Sequence, residues 1–356
     1  MLDNVMAELM SRQSIRRWAN RPMHRLTVGL IRRPERTVWT NGTSGEGCGA
    51  AEPVYEIGSI TKTMTGLLLA SGERDGLWSR SDRLSALVPE WQGNPFAAGT
   101  TLLDLATHTS GLPAVPGNMK AAVTDRLNPY ANYGENRLVE AVLSEKAAGN
   151  RKHRYSNYGF GLLGWLLARR LGKSLDEALA ERVFVPLGMT HTGTGASPRT
   201  SGTLLLPVFH AQGKPVPHWD FHDATGGAGA VRSTMADMMR YADAMLNYSE
   251  HALGPAIEQC LREHYAIMPG RGIGIGFAWM RYKEKDGTVT HWHNGGTYGS
   301  SSFVAFNREK QSGFVVLSNY GSSAWSQIAP MIGLPTMSVD RLASLLSKKL
   351  FQEAAR

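Results

Sequence analysis

The runs that read as strands lie at the two ends of this sequence, and that placement constrains the fold more than any other feature. LTVGLIRR (Leu26–Arg33) and RTVWTNG (Arg36–Gly42) flank the turn signal Arg33-Pro34-Glu35. TVTHWH (Thr288–His293), SSSFVAFN (Ser300–Asn307) and SGFVVLSN (Ser312–Asn319) are short and apolar or alternating. Gly295-Gly296 and the stretch Asn307 to Gln311 separate them, as in an antiparallel meander. The middle reads as helix and long connections. LVEAVLSEKAA (Leu138–Ala148), GFGLLGWLLARRLG (Gly159–Gly172), SLDEALAERVFVPLG (Ser174–Gly188) and STMADMMRYADAML (Ser233–Leu246) carry helical periodicity. Ser174 and Ser233 stand at N-cap positions, and Gly closes two of the helices. Leu2 to Trp18 reads as one amphipathic helix, and Val339–Phe351 as a final one.

Strands at both ends with helices between imply one sheet built from the two chain ends. The expected class is α/β (α+β), with an antiparallel sheet of about five strands flanked by helices. An all-helical region would come from the middle of the chain. The expectation is a single catalytic domain over 1–356, with its sheet-containing part at 1–75 and 270–356 and its helical part at 76–269. The 356-residue length and 42% hydrophobic content allow a sizeable core. With only two cysteines, Cys48 and Cys260, neither a disulfide framework nor a Cys-only zinc site organises the chain.

The net charge is +8, with Arg12, Arg16, Arg17, Arg21, Arg25, Arg32, Arg33 and Arg36 crowded near the start. No aromatic interleaving or nucleic-acid motif accompanies them, so they read as solvated charge and no nucleic-acid partner is expected. The opening MLDNVMAELMSRQSIRRWANRPM is broken by charge and has no export-type apolar core, and no stretch is apolar for long enough to span a bilayer. A cytoplasmic location is the expectation.

Chemistry enters at EIGSITKTMTGLLLA (Glu56–Ala70). Ser59 and Lys62 are three residues apart at the start of an apolar helix, so they share one face. Ser59 as an N-cap and Lys62 as a surface charge is the bland alternative. A serine hydroxyl becomes a useful nucleophile only when a base takes its proton, and a lysine can help if burial lowers its pKa. A helix N-terminus also favours a developing oxyanion. Tyr155-Ser156-Asn157 supplies a phenol and an amide that could orient Lys62 and a substrate. Tyr130-Ala131-Asn132 has the same spacing, but it lies in a turn-rich stretch, whereas Tyr155 leads into a long helix. His293-Asn294-Gly295 ends a strand, and two glycines would let a substrate backbone lie close. The N–H of Gly296 could then join that of Ser59 as an oxyanion donor. His191-Thr192-Gly193 repeats the spacing with no strand after it and is set aside.

Together these motifs resemble the serine β-lactamase and penicillin-binding-protein superfamily, and most closely its class C branch, where Tyr-x-Asn follows S-x-x-K. LLDLATHTSGLP (Leu102–Pro113), VFVPLGMTHTG (Val183–Gly193) and GGAGAVRSTMADMMRY (Gly226–Tyr241) look like further family signatures, in the family's order. The resemblance implies a serine acyl-enzyme hydrolase with Ser59 as nucleophile. Lys62 and Tyr155 would share the base role, and His293, Asn157, Gly295 and Gly296 would line the substrate site. One departure matters: β-lactamases of this class carry Lys-Thr-Gly where this chain has His-Asn-Gly. Neutral histidine offers a donor but no fixed cation for a carboxylate. The expectation is therefore a small-molecule ester or amide substrate, of carboxylesterase or D-amino-acid amidase type, with weak or no β-lactamase activity. Acyl transfer and class C β-lactamase or penicillin-binding function are the alternatives. The 11 histidines show no metal-ligand spacing and no phosphate loop appears, so neither metal nor cofactor is expected. Loops at Pro113–Pro129 and Pro198–Asp223 would shape the pocket, and Tyr130, Tyr133, Trp219, Phe221 and Tyr298 are candidate walls or packing residues.

Overall fold

The computed structural model describes residues 1–41, 52–147, 151–195, 202–322 and 337–352. Cys48, most of the Gly-rich stretch Thr43–Pro53 and the start of the Pro198–Asp223 loop lie outside these. In chain order the strands are β1 (Leu26–Arg32), β2 (Glu35–Thr40), β3 (Glu52–Glu56), β4 (Thr203–Leu205), β5 (Val208–Phe209), β6 (Pro215–Val216) and β7 (Arg232–Thr234). After them come β8 (Tyr265–Met268), β9 (Ile273–Ile275), β10 (Met280–Lys283), β11 (Val289–Gly296), β12 (Ser301–Asn307) and β13 (Ser312–Ser318).

The two chain ends do share a sheet. Its order is β2-β1-β13-β12-β11-β10-β9-β8, and every pairing is antiparallel. It has eight strands rather than about five. The additional ones, β8 to β10, are only three or four residues long and include Gly274, Arg281 and Lys283. Such segments are too short to display a period of two, and pairing to β11 is what orders them. A second sheet has the order β4-β3-β7, and its β4 and β7, with β5, β6 and β8, give the stretch 76–269, expected to be all-helical, strands as well as helices; β3 leads into the Ser59 turn.

Alternation along the central strands sorts side chains to two faces. Phe314 and Val316 join Val28, Leu30, Leu2, Met6, Leu9, Leu342 and Leu346 in one core. Val315 and Leu317 join Val304, Phe306 and the helical part in the other. Both faces of β13 are thus covered, which is why it reads as a continuous apolar run despite antiparallel pairing. The N-terminal segment is two helices, α1 (Leu2–Ser11) and α2 (Gln13–Ala19), rather than one. Arg12 stands between them with extended backbone. Among the crowded arginines, Arg33 and Arg36 pair with Asp243, and Arg33 also with Glu250.

Helix α3 (Thr61–Arg74) follows the Ser59 turn and is buried over nearly its whole length. The helix Asn157–Leu171 begins on a Ser156 cap, whose hydroxyl accepts from the Gly159 N–H, and closes on Gly172 at φ 66°. The helix Met235–Leu246 is capped by Thr234 rather than Ser233, which lies in β7. The segment after Ser174 is α-helical only over Leu175–Leu179 before a wider π turn at Ala180–Phe184.

Candidate active site

A single turn of 3₁₀-helix, Gly58–Ile60, joins β3 to α3 and carries Ser59. Gly58 adopts φ +49°, and a Cβ there would stand 2.5 Å from the Gly296 nitrogen. Only glycine gives both the left-handed backbone and that approach to β11. Ser59 is not an N-cap: Ile57 and Ile60 hold those positions for the 3₁₀ turn and α3. It is engaged elsewhere: Lys62 Nζ lies 2.9 Å from Ser59 Oγ, and the Tyr155 hydroxyl donates to the same oxygen at 2.7 Å.

Lys62 is fully buried. Its Nζ also donates to Asn157 Oδ1 and to the Ala228 carbonyl, each at 2.7 Å, and sits 4.9 Å from the Tyr155 ring centroid. Burial pushes its pKa well below the ordinary lysine value. Two of its three partners are carbonyl oxygens that can only accept. In its neutral form the amine gives both N–H groups to them and turns its lone pair toward the Ser59 hydroxyl. Ala228 reaches Lys62 because the helix Asn157–Leu171 packs tightly on the preceding turn. Added Cβ atoms at Gly161 and Gly164 would lie 2.8 Å from Ala224 O and Gly227 Cα.

Tyr155 leaves 42% of its surface open. Its hydroxyl nevertheless points inward at Ser59, and burial there raises the phenol above its ordinary value. At neutral pH it is a proton donor. His293 is buried, and burial pulls its pKa down to about 3. Its Nδ1 lies 2.6 Å from the Asn294 carbonyl, which places the proton on Nδ1 and leaves Nε2 an acceptor. The ring's donor is thus spent on the backbone.

Pairing between β10 and β11 ends at Met280↔Trp292, so His293 to Gly296 are paired only on the β12 side. The other edge lies against the Ser59 turn. A Cβ on Gly295 would come within 2.0 Å of Ile57 O, and Ser302 Oγ donates to that same carbonyl at 2.8 Å. This geometry sets the backbone of Gly296 beside the start of α3.

The rival spacing Tyr130-x-Asn132 does not reach Lys62, since Asn132 donates to Thr124 Oγ1. Tyr130 instead adjoins the site, its hydroxyl accepting from Asn157 Nδ2 at 3.2 Å. It stacks on Phe221 at 4.9 Å and meets Trp219 at 5.3 Å, while Trp219 contacts Tyr298 edge-on at 5.1 Å. Tyr133 is no pocket wall: it is fully buried and donates to Asn118 Oδ1. His191 lies apart, its N–H on Asp237.

Sequence reasoning missed Glu56. Its buried carboxylate accepts from Thr297 Oγ1 at 2.7 Å and from the Trp219 N–H at 2.8 Å, and it lies 3.6 Å from Arg232. It ties β3, the segment after β11 and the aromatic loop to one point. A carboxylate just before an S-x-x-K turn was the available signal. Among the described residues no group of three or more His, Cys, Asp or Glu is placed to hold a metal ion, and no helix is long and apolar enough to cross a membrane.

The fold and this constellation define a class. The family description Beta-lactamase matches residues 26–329, and the chain belongs to that family of serine hydrolases. It is 29% identical over 191 residues to a beta-lactamase of Providencia stuartii, spanning 53% of this chain and 46% of that protein. It is 29% identical over 284 residues to the D-alanyl-D-alanine-carboxypeptidase/endopeptidase AmpH of Escherichia coli K12, spanning 75% of this chain and 71% of that one. In fold it is similar to a class C beta lactamase from Rhodobacter sphaeroides, with TM-score 0.75 and 21% identity, over 96% of this chain and 99% of the other.

Proposed function

We propose that this chain is a serine hydrolase that forms an acyl-enzyme on Ser59 from an ester or amide. The observation that carries this reading is one oxygen held between two proton-handling groups. Ser59 Oγ lies 2.9 Å from a buried lysine amine and 2.7 Å from a tyrosine hydroxyl. Ser59 Oγ attacks the carbonyl carbon, and its proton passes to the neutral Lys62 amine. The N–H groups of Ser59 and Gly296 hold the oxyanion. The C–O or C–N bond then breaks, and the leaving group takes a proton from the Lys62–Tyr155 pair, which acts as one coupled system. Water completes the cycle by the reverse path, freeing the acid and restoring the Ser59 hydroxyl. Asn157 holds Lys62 through Oδ1.

Substrate class follows from His293. A ring held neutral down to about pH 3 supplies no cation at the end of β11. Neutral acyl groups fit such a site better than carboxylate-bearing ones, which favours a carboxylesterase or D-amino-acid amidase over a β-lactamase. The names of the relatives favour the second reading, acylation by β-lactams or D-alanyl peptides.

Intact-mass detection of the acyl-enzyme across short esters, D-amino-acid amides and β-lactams separates the two. The expected result is an adduct with esters or amides and little with β-lactams, absent in Ser59→Ala. Undiminished labelling of Ser59→Ala by a fluorophosphonate would overturn the assignment of the nucleophile.

A further inference from the structure

His108, within LLDLATHTSGLP, does not touch Ser59 or Lys62, yet it surrounds the residue that does. Its carbonyl accepts from the Arg154 N–H at 2.8 Å. Its Nδ1 accepts from the Ser156 N–H at 3.0 Å. Between those two bonds lies Tyr155, and the His108 ring packs on the Tyr155 ring with centroids 4.6 Å apart. One residue therefore grips the backbone on both sides of Tyr155 and the face of its ring.

Three features show that this grip needs a histidine-like acceptor rather than mere bulk. The backbone at His108 is left-handed, φ 60°, a region few non-glycine residues enter and in which histidine and asparagine are among the more frequent. It brings carbonyl and ring to the same short segment. With Nδ1 accepting a backbone N–H, the ring proton sits on Nε2. That atom is buried and has no hydrogen-bond partner among the described residues. A phenyl ring would fill the space without stranding a polar atom, so the nitrogen is explained by the acceptor it supplies. The ring is also buried against His153 and Phe160, and that burial favours its neutral, accepting form.

We propose that His108 is a positioning residue that aims the Tyr155 hydroxyl at Ser59 by holding the Arg154 and Ser156 N–H groups. The inference rests on the serine-hydrolase reading above. It is separable from the nucleophile, because it concerns where the tyrosine stands and not whether Ser59 is acylated.

Two variants divide the contributions. His108→Phe keeps a ring and removes the acceptor. His108→Asn removes the ring but puts an amide oxygen at the same bond distance from the backbone, and asparagine accepts a left-handed backbone readily. The readouts are the acylation rate with a fluorophosphonate, kcat and KM with an aryl ester, and hydrogen exchange of the peptide spanning residues 154–157. His108→Phe is expected to lower the acylation rate and kcat by about tenfold or more with KM nearly unchanged, and to speed exchange in that peptide. His108→Asn is expected to recover most of both. Wild-type acylation by His108→Phe, unchanged exchange in it, or equal loss in His108→Asn would each overturn the proposal while leaving the hydrolase reading intact. If His108→Phe does not fold, His108→Asn decides alone: near-wild-type rate and exchange support the grip, and a tenfold loss refutes it. A wild-type chain that no probe acylates would refute the hydrolase reading and this inference together.

Discussion

Lys62 shows how a residue's surroundings decide its chemistry. On a surface helix it would be a permanent cation. Here burial disfavours the charged form, and fixed carbonyls leave its lone pair for one partner only. A pH dependence follows. As pH falls through the lowered pKa, the amine is protonated and can no longer accept the Ser59 proton, so acylation slows on the acid side. Lys62→Met is expected to reduce the acylation rate by about 10²–10⁴-fold and to remove that acid limb. Stopped-flow acylation with an aryl ester across pH checks both, and an unchanged profile in the variant would exclude Lys62 as the base.

At the scale of elements, the site is a contact between a turn and a strand edge. The Gly58–Ile60 turn is pressed against β11 and anchored by Ser302 on β12 and by Glu56 at the end of β3. Gly295→Ala tests that contact. Its Cβ would meet the Ile57 carbonyl, and β11 cannot retreat because it is paired to β12 along this stretch. Overpacking of this kind costs about 1–3 kcal/mol, and moving a donor by about 1 Å costs about 10²-fold in rate. Thermal melting and kcat/KM of the variant measure the two effects separately. A fully active Gly295→Ala chain would show that the close approach is not required.

Across the whole molecule, buried histidines link folding to pH. His24 and His291 are pulled down to about 4 and His293 to about 3, each chiefly by burial. Below the ordinary histidine value of about 6.5 the unfolded chain binds protons that the folded chain refuses. Stability is therefore full above that pH and falls as pH drops from about 6.5 toward 4. Urea midpoints at pH 7.5 and pH 5 check this, and an equal or higher midpoint at pH 5 would contradict it. The two cores are also unequal in origin. One is built from both chain termini against one sheet face, and the other unites the opposite face with the helical part. Neither chain end could form this sheet without the other.

The sequence by itself determined that the sheet comes from both chain ends, that Ser59 and Lys62 stand together at the head of a helix, and which family the chain belongs to. These are local or ordered features: a period, a spacing of three, motifs in a fixed succession. Tertiary structure alone decided the strands β8 to β10, whose pairing supplies the order their length cannot. It also decided the break at Arg12, which an apolar pattern passes straight over. At the site it decided that Tyr130, set aside in favour of Tyr155 on sequence grounds, adjoins the site through Asn157. It turned the His293 donor onto the Asn294 carbonyl, and it gave Glu56, Ala228 and His108 their places. Each of these depends on a hydrogen bond or ring contact between segments far apart in the chain, or on a backbone carbonyl whose direction no residue type specifies. Spacing names the residues that can do chemistry, and packing decides which protons they face.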